Sequence, residues 1–283
     1  MKIGVHTWSF RDVFKNNPAF TVFDCLDAAA DMGFAGIEIM TGKANMPPDH
    51  IGGETHEHLE KVVAHAQRRG ISITCLATYN DFAYVQDEAW RRANIDYIQR
   101  WLTLAGRIGV PNIRMLTGYY NDHAPRERLE ELTRDGIRAC VPFAEAAGVN
   151  MAIENHNSIF FSAAEIVGLI EESGSPRLTA CPDPSNWGGR VFFDGDAAAR
   201  ATVLRELEIL APYATQAHLK ICGINPDGSL PGFDADLDRV ISIYRQAGYD
   251  GMIVFESMGK GDLLAPLARA RQTVEDAIRR CAG

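Results

Sequence analysis

Positive charge is in short supply in this 283-residue chain: 28 lysines and arginines stand against 37 aspartates and glutamates, for a formal charge of −9. The basic residues are also scattered, so a nucleic-acid partner finds no electrostatic footing. Long apolar runs are missing too. None approaches the roughly 20 residues of a membrane span, so no membrane partner is expected. The opening MKIGVHTWSF lacks the apolar core of a signal peptide and reads as a first strand. Cysteine is sparse and dispersed: Cys25, Cys75, Cys140, Cys181, Cys222 and Cys281 form no C-x-x-C pair. That spacing suits reduced thiols in a cytoplasmic protein rather than a disulfide framework. No G-x-G-x-x-G follows the first strand, where the chain runs HTWSFRDVF, and this argues against an open doubly wound sheet. No Pro/Ser-rich linker divides the chain, so residues 1–283 read as a single domain.

What the chain does have is a repeated local unit: a helical stretch, a glycine, one apolar residue, then a strand. It recurs in DMGFAGIEIM, RRGISITCLA, RIGVPNIRML, AAGVNMAIE and QAGYDGMIVFE. The glycines (Gly33, Gly70, Gly109, Gly148 and Gly248) suit the left-handed position that ends a helix. The runs after them are rich in Ile, Val, Leu and Met, as strands covered on both faces require. Eight strands are predicted, near 2–6, 36–40, 71–77, 112–117, 149–154, 177–183, 214–221 and 251–256. Their starts lie roughly 30 to 40 residues apart, room for a crossover helix each time. FDCLDAAADM, THEHLEKVVAHAQRR and DLDRVISIYRQA carry the helical apolar period. Strict alternation implies a parallel α/β sheet, and eight units imply closure into a (β/α)8 TIM barrel.

In such a barrel the carboxyl ends of the strands open on one face, where catalytic residues collect. Strand five, MAIENH, ends in Glu154 and His156; strand six, RLTACPD, ends in Asp183. Strand seven, TQAHLKIC, carries His218 and Lys220, and strand eight, MIVFES, carries Glu256. Carboxylates converging at a barrel mouth repel one another and lose hydration, so something must balance them. A bound dication would do so, and an oxygen-rich set with one imidazole suits Mn²⁺, Mg²⁺ or Co²⁺ and accepts Zn²⁺. Ion pairing with Lys220 and Arg114 is the competing explanation.

GFAGIEI, MAIENH, ACPDPSNW, AHLKI and GYDGMIVFE together make the chain resemble the xylose-isomerase-like TIM-barrel superfamily, in its sugar phosphate isomerase/epimerase branch. The resemblance spans nearly the whole chain. It implies one divalent metal ion, Mn²⁺ first, held by Glu154, Asp183, His218 and Glu256. It implies a small carbohydrate substrate and allows a homo-oligomer. It further implies that Glu154 and Glu256 face opposite sides of the substrate and serve as the acid/base pair as well as ligands. The metal-dependent endonucleases of the superfamily need many more His and Asp ligands, which the early strands here lack.

A dication touching neighbouring oxygens of a hydroxy-ketone lowers the acidity barrier at the adjacent carbon. Deprotonation there gives a cis-enediolate, and the site of proton return decides between epimer and isomer. Expulsion of a β-hydroxyl would instead make a dehydratase, as in the inosose and 3-dehydroshikimate dehydratases of the superfamily. A non-catalytic sugar-binding or partner subunit is the third alternative. Around the ligands, Lys220 shares a strand face with His218 and either holds a substrate oxygen or compensates the carboxylates. His156 either binds a substrate hydroxyl or hydrogen-bonds a ligand. Asn186 is read as orienting the loop after Asp183. His6 and Trp8 end strand one, Trp8 as an aromatic wall or as core, and Glu38 is expected to contact substrate. Tyr79 is placed at the mouth, and Arg190 is a candidate for a phosphate or carboxylate. Two patterns are set aside. His56 and His58 lie two apart at a helix start and face different ways. GINPDGSLPG lacks the Lys-Ser/Thr pair of a phosphate cradle and reads as the loop after strand seven.

Overall fold

The computed structural model describes residues 1–43, 49–156, 159–187, 192, 195–233, 235–259 and 264–282. Strands and helices alternate along it. The strands are β1 (Lys2–His6), β2 (Gly36–Lys43), β3 (Ser72–Tyr79), β4 (Asn112–Met115), β5 (Asn150–Glu154), β6 (Leu178–Cys181), β7 (Ala217–Ile221) and β8 (Met252–Ser257). Two helices, α1 (Arg11–Asn16) and α2 (Val22–Asp31), separate β1 from β2. The later crossovers are α3 (His56–Arg69), α4 (Glu88–Ile108), α5 (Arg126–Ala147), α6 (Ala163–Ser173), α7 (Ala197–Leu210) and α8 (Leu237–Gln246), and α9 (Leu264–Arg280) follows β8.

The glycines of the repeat behave as their spacing predicts. Gly33, Gly70, Gly109, Gly148 and Gly248 all have φ between +68° and +79°, and Gly70, Gly109 and Gly148 cap α3, α4 and α5. Helix starts are fixed by side chains. Thr21 and Asp24 open α2, and Ser162 and Glu165 open α6, each pair exchanging bonds with the other's backbone N–H.

The eight strands form one sheet in the order β6-β5-β4-β3-β2-β1-β8-β7, and every pairing is parallel. Its two edges meet. Ala180 bridges Ala214, the Thr215 N–H donates to the Ala180 carbonyl (3.1 Å), and the His218 N–H donates to the Pro182 carbonyl (3.0 Å). The sheet therefore curls into a TIM barrel.

Strand alternation sorts side chains onto two surfaces. Ile3, Val5, Ile37, Ile39, Ile113, Ile153, Leu219, Ile253 and Phe255 enter the apolar cluster shared with the helices. Their alternates, among them His6, Glu38, Arg114, Glu154, His218 and Glu256, are buried but lie outside that cluster, inside the barrel. The inner layer is tight near the strand starts: a Cβ on Gly36 would sit 2.6 Å from the Met252 side chain. Higher up, the interior is polar.

Candidate metal centre

Each side chain of the centre is delivered by a strand end and then pinned. On β5, Ile153 points into the outer apolar layer, so Glu154 points inward. Asn155 follows, and its amide holds the end of β6 in register. It donates to the Asp183 carbonyl (2.9 Å) and accepts from the Asp183 N–H (2.7 Å). Pro182 carries no N–H to extend a ladder, so β6 stops short of Asp183. Asp183 Oδ1 accepts the Ser185 N–H at 3.0 Å, which leaves Oδ2 facing the barrel mouth. His218 and Lys220 are alternate residues of β7 and share a face. Glu256 is held by a clamp on β8. The Ser9 hydroxyl accepts the Ser257 N–H (2.9 Å), and the Arg11 guanidinium donates to the carbonyls of Trp8, Ser257, Met258 and Gly259.

The result is a compact buried cluster. Glu154, Asp183, His218 and Glu256 each offer one ligand-capable atom, and those atoms all lie within 4.8 Å of one another. His218 Nδ1 is 3.5 Å from Glu154 Oε1 and 3.9 Å from Glu256 Oε2. Lys220 Nζ stands 3.4 Å from Asp183 Oδ2 and 3.3 Å from Glu256 Oε2. Below, Arg114 Nε lies 3.3 Å from Glu154 Oε2 and 3.7 Å from Glu38 Oε1.

Burial penalises every charge here, and the neighbours decide the outcome. For Glu154 burial is outweighed by Arg114, His156 and His218, which hold the carboxyl well below its usual range. For Glu256 burial is outweighed chiefly by Lys220, and its carboxyl also falls. Asp183 goes the other way: burial raises it despite Lys220. Burial pulls His218 and Lys220 down, yet Cys181 and Glu38 hold His218 above its ordinary value, and Asp183 and Glu256 do the same for Lys220.

Two observations test whether a cation suits these residues. Asp183 Oδ2 and His218 Nδ1 are buried and lack a hydrogen-bond partner among the described residues. In addition, the buried carboxylates of Glu38, Glu154, Asp183 and Glu256 outnumber the permanent cations Arg114 and Lys220 by two. Converging lone pairs with a net negative surplus fit a divalent ion bound through three oxygens and one imidazole nitrogen.

The other residues singled out in the sequence are placed as follows. Asn186 links two of the principals, donating to Glu154 Oε1 (3.0 Å) and accepting from Lys220 Nζ (2.7 Å). Tyr79 is partly buried, stacked over Arg114 at 4.5 Å and edge-on to His156 at 6.4 Å, with burial raising its hydroxyl to about 12. Trp8 is partly exposed and lines a cavity of about 590 Å³ with Arg11, Phe14, Lys15 and His50. His6 is buried; its Nδ1 accepts the Trp8 N–H (2.8 Å), and burial lowers it to about 4. Glu38, expected to contact substrate, is fully buried within the barrel, 2.8 Å from His218 Nε2 and 2.6 Å from the Gln216 amide. Both partners of that carboxylate are themselves buried. His58, one of the two histidines set aside, is half-exposed and contacts the Ile51 carbonyl at 2.7 Å. Arg190 lies outside the described residues. Asn155 and Gln216 were not anticipated. Asn155 sits inside MAIENH and was open to suspicion as a buried amide, whereas nothing local marks Gln216.

The sequence description of the xylose isomerase-like TIM barrel matches residues 26–281. The chain belongs to that family. The L-ribulose-5-phosphate 3-epimerase UlaE of Escherichia coli K12 is 23% identical over 260 residues, covering 88% of this chain and 87% of its own. Among solved structures, the D-psicose 3-epimerase of Clostridium cellulolyticum H10 superposes with a TM-score of 0.75 at 16% identity over 99% of both chains. The 3-keto-D-glucoside 4-epimerase YcjR of E. coli gives 0.72 at 17% identity, covering 98% of this chain and 99% of that one. These structural likenesses establish a shared barrel. No helix among the described residues is long and apolar enough to cross a membrane.

Proposed function

We propose that the chain is a divalent-metal-dependent sugar epimerase, in the wider isomerase class, acting on a small ketose or polyol-derived ketone as one barrel domain over residues 1–283. The observation that carries this is the convergence of Glu154, Asp183, His218 and Glu256 on one point at the barrel mouth. The epimerase activities named for its relatives support the reaction class. Those four residues would hold the ion. Three carboxylates and an imidazole suit Mn²⁺ first, then Co²⁺, Mg²⁺ or Zn²⁺. When bound, the ion would supply Lewis acidity to adjacent carbonyl and hydroxyl oxygens, making the carbon between them easier to deprotonate.

The chain's own residues handle the proton. One of Glu154 and Glu256 removes it from the carbon beside the carbonyl, and the other returns one to the opposite face of the cis-enediolate, giving the epimer. Return to the neighbouring carbon gives an isomer. Lys220, held protonated between Asp183 and Glu256, donates to the oxygen on which charge develops. Asn186 keeps Glu154 and Lys220 oriented. His156, Tyr79 and Trp8 form the polar and aromatic wall for the sugar, and Arg190 is retained for a phosphate or carboxylate at its far end.

Metal analysis of wild type and Asp183→Asn, prepared side by side in metal-replete medium, tests this. About one ion per chain, lost in the variant, is expected; negligible metal in both overturns the proposal. One observation also favours a dehydratase. Lys220 stands 3.3 Å from Glu256, an acid beside a base, positioned to protonate a departing β-hydroxyl. Incubating candidate ketoses in deuterated solvent separates the two: both exchange the proton beside the carbonyl, and only the dehydratase loses water.

A further inference from the structure

We infer that Glu38 is a positioning residue for the metal centre: its carboxylate, buried across the barrel from the mouth, fixes the ring of His218 so that Nδ1 is presented to the cation. The inference rests on the proposed metal site and gives Glu38, read from the sequence as a substrate contact, a different role.

The geometry has three parts. First, Glu38 Oε2 lies 2.8 Å from His218 Nε2, and both side chains are completely buried. A carboxylate is acceptor-only, so the nitrogen facing it must carry hydrogen and Nδ1 is the nitrogen left to turn toward Glu154 and Glu256. A ring flip would put carbon against Glu38 and carbon, in place of Nδ1, toward Glu154 and Glu256. Second, Glu38 is itself braced. The Gln216 amide donates to the same oxygen at 2.6 Å and reaches Thr74 Oγ1 at 3.4 Å, while His6 Nε2 and Arg114 Nε flank the other oxygen at 3.6 and 3.7 Å. Third, Arg114 is shared between Glu38 and Glu154, so one guanidinium fixes the carboxylate behind the imidazole and a carboxylate beside it. A buried anion with this many partners serves more than packing. An apolar residue of the same size would spare its desolvation but leave Nε2 without an acceptor. Carboxylates placed behind a ligating imidazole orient the ring and raise its basicity.

Glu38→Gln keeps the shape and removes the charge. The test is competitive titration of Co²⁺ against a chromophoric chelator, with the d–d spectrum recorded alongside, on wild type and variant first stripped of metal. Wild type should bind Co²⁺ with the spectrum of a site containing one nitrogen ligand. Glu38→Gln should bind roughly 10- to 100-fold more weakly with an altered spectrum, while its metal-free melting temperature and circular dichroism stay those of a folded barrel. Equal affinity and spectrum in the two proteins would overturn the role of Glu38 and leave the metal site standing. No Co²⁺ binding by wild type would remove the site and this inference together. If Glu38→Gln fails to fold, Gln216→Leu substitutes for it. That change leaves the carboxylate in place but unbraced and should weaken Co²⁺ several-fold, whereas wild-type affinity would count against the inference.

Discussion

On β5, Met151 and Ile153 enter the apolar layer beneath the helices, while Ala152 and Glu154 face the barrel's interior; on β7, Leu219 and Ile221 do the first and His218 and Lys220 the second. The same few residues of strand thus serve two surfaces with opposite chemistry. The outer surface is a continuous hydrophobic cluster whose contribution scales with the area removed from water. The inner surface gathers Glu38, Arg114, Glu154, Asp183, His218, Lys220 and Glu256, charges whose desolvation is offset only while their partners stay in place. A fold seeking stability alone would fill the barrel with branched aliphatics. Here the outer face supplies cohesion, and the inner face can hold a charge cluster because that cohesion exists.

The comparison breaks if inner-face changes act like outer-face ones. The largest effect is expected at Glu256. Glu256→Gln, nearly isosteric, should lower kcat roughly 10²- to 10⁴-fold as an acid/base group is lost, with thermal unfolding little changed. A variant that lost stability and kept its turnover would reverse the assignment. Next comes Arg114, the buried cation shared by Glu38 and Glu154. Arg114→Met strands two carboxylates, and urea unfolding in chelator should show about 3–5 kcal/mol of destabilisation. A neutral or stabilising result would mean that the guanidinium is not what holds those charges. The outer face supplies the control. Leu219→Ala, between His218 and Lys220 but pointing the other way, should cost about 2–5 kcal/mol and leave metal content per folded chain unchanged. Metal loss in that variant would show that the two surfaces of β7 are coupled.

Much of this division is written in the sequence. The recurring helix, glycine, apolar, strand unit placed five of the eight strands, β2, β3, β4, β5 and β8, because a left-handed cap and a run of branched residues are local signals. The ends were less legible. β6 was expected to reach 183 and stops at Cys181, since a proline lies between. β7 was expected from 214 and begins at Ala217, with Ala214 making only an isolated bridge. β2 runs to Lys43, past the expected 40, with register shifts against β3. Glu154, Asp183, His218 and Glu256 stood out because each is a polar residue within or just after an apolar strand. Glu38 was read as facing the pocket because strand alternation gives the face of a residue and not its height. Its partner His218 lies across the barrel on a strand that is not its neighbour, and only the tilt and closure of the sheet bring them to 2.8 Å. Gln216 escaped notice for the same reason.

The smallest expected effect lies at the rim, where inner and outer surfaces meet. His50 is buried beside β2, with Nδ1 3.1 Å from the Thr7 hydroxyl and its ring stacked on Phe14 at 4.1 Å. Burial, with His6 nearby, depresses it to about 3. A freely hydrated imidazole titrates near 6.5, so the unfolded chain takes up a proton that the folded chain refuses. Stability held by neutral His50 is therefore complete above about pH 6.5 and drains as the pH falls from there toward 3. His6, lowered to about 4, drains over much of the same window, and Asp12, Lys15 and Asp49 line the cavity beside His50, so a single profile mixes several groups. The difference between wild type and His50→Asn isolates one of them. Wild type should be the more stable at pH 7, and the gap should narrow steadily between pH 6.5 and 4.5 in urea unfolding. A gap that stays constant would mean that His50 accepts its proton in the folded state. The rim would then share the inner face's tolerance for charge, and the boundary between the two surfaces would lie further out than Thr7 and Phe14.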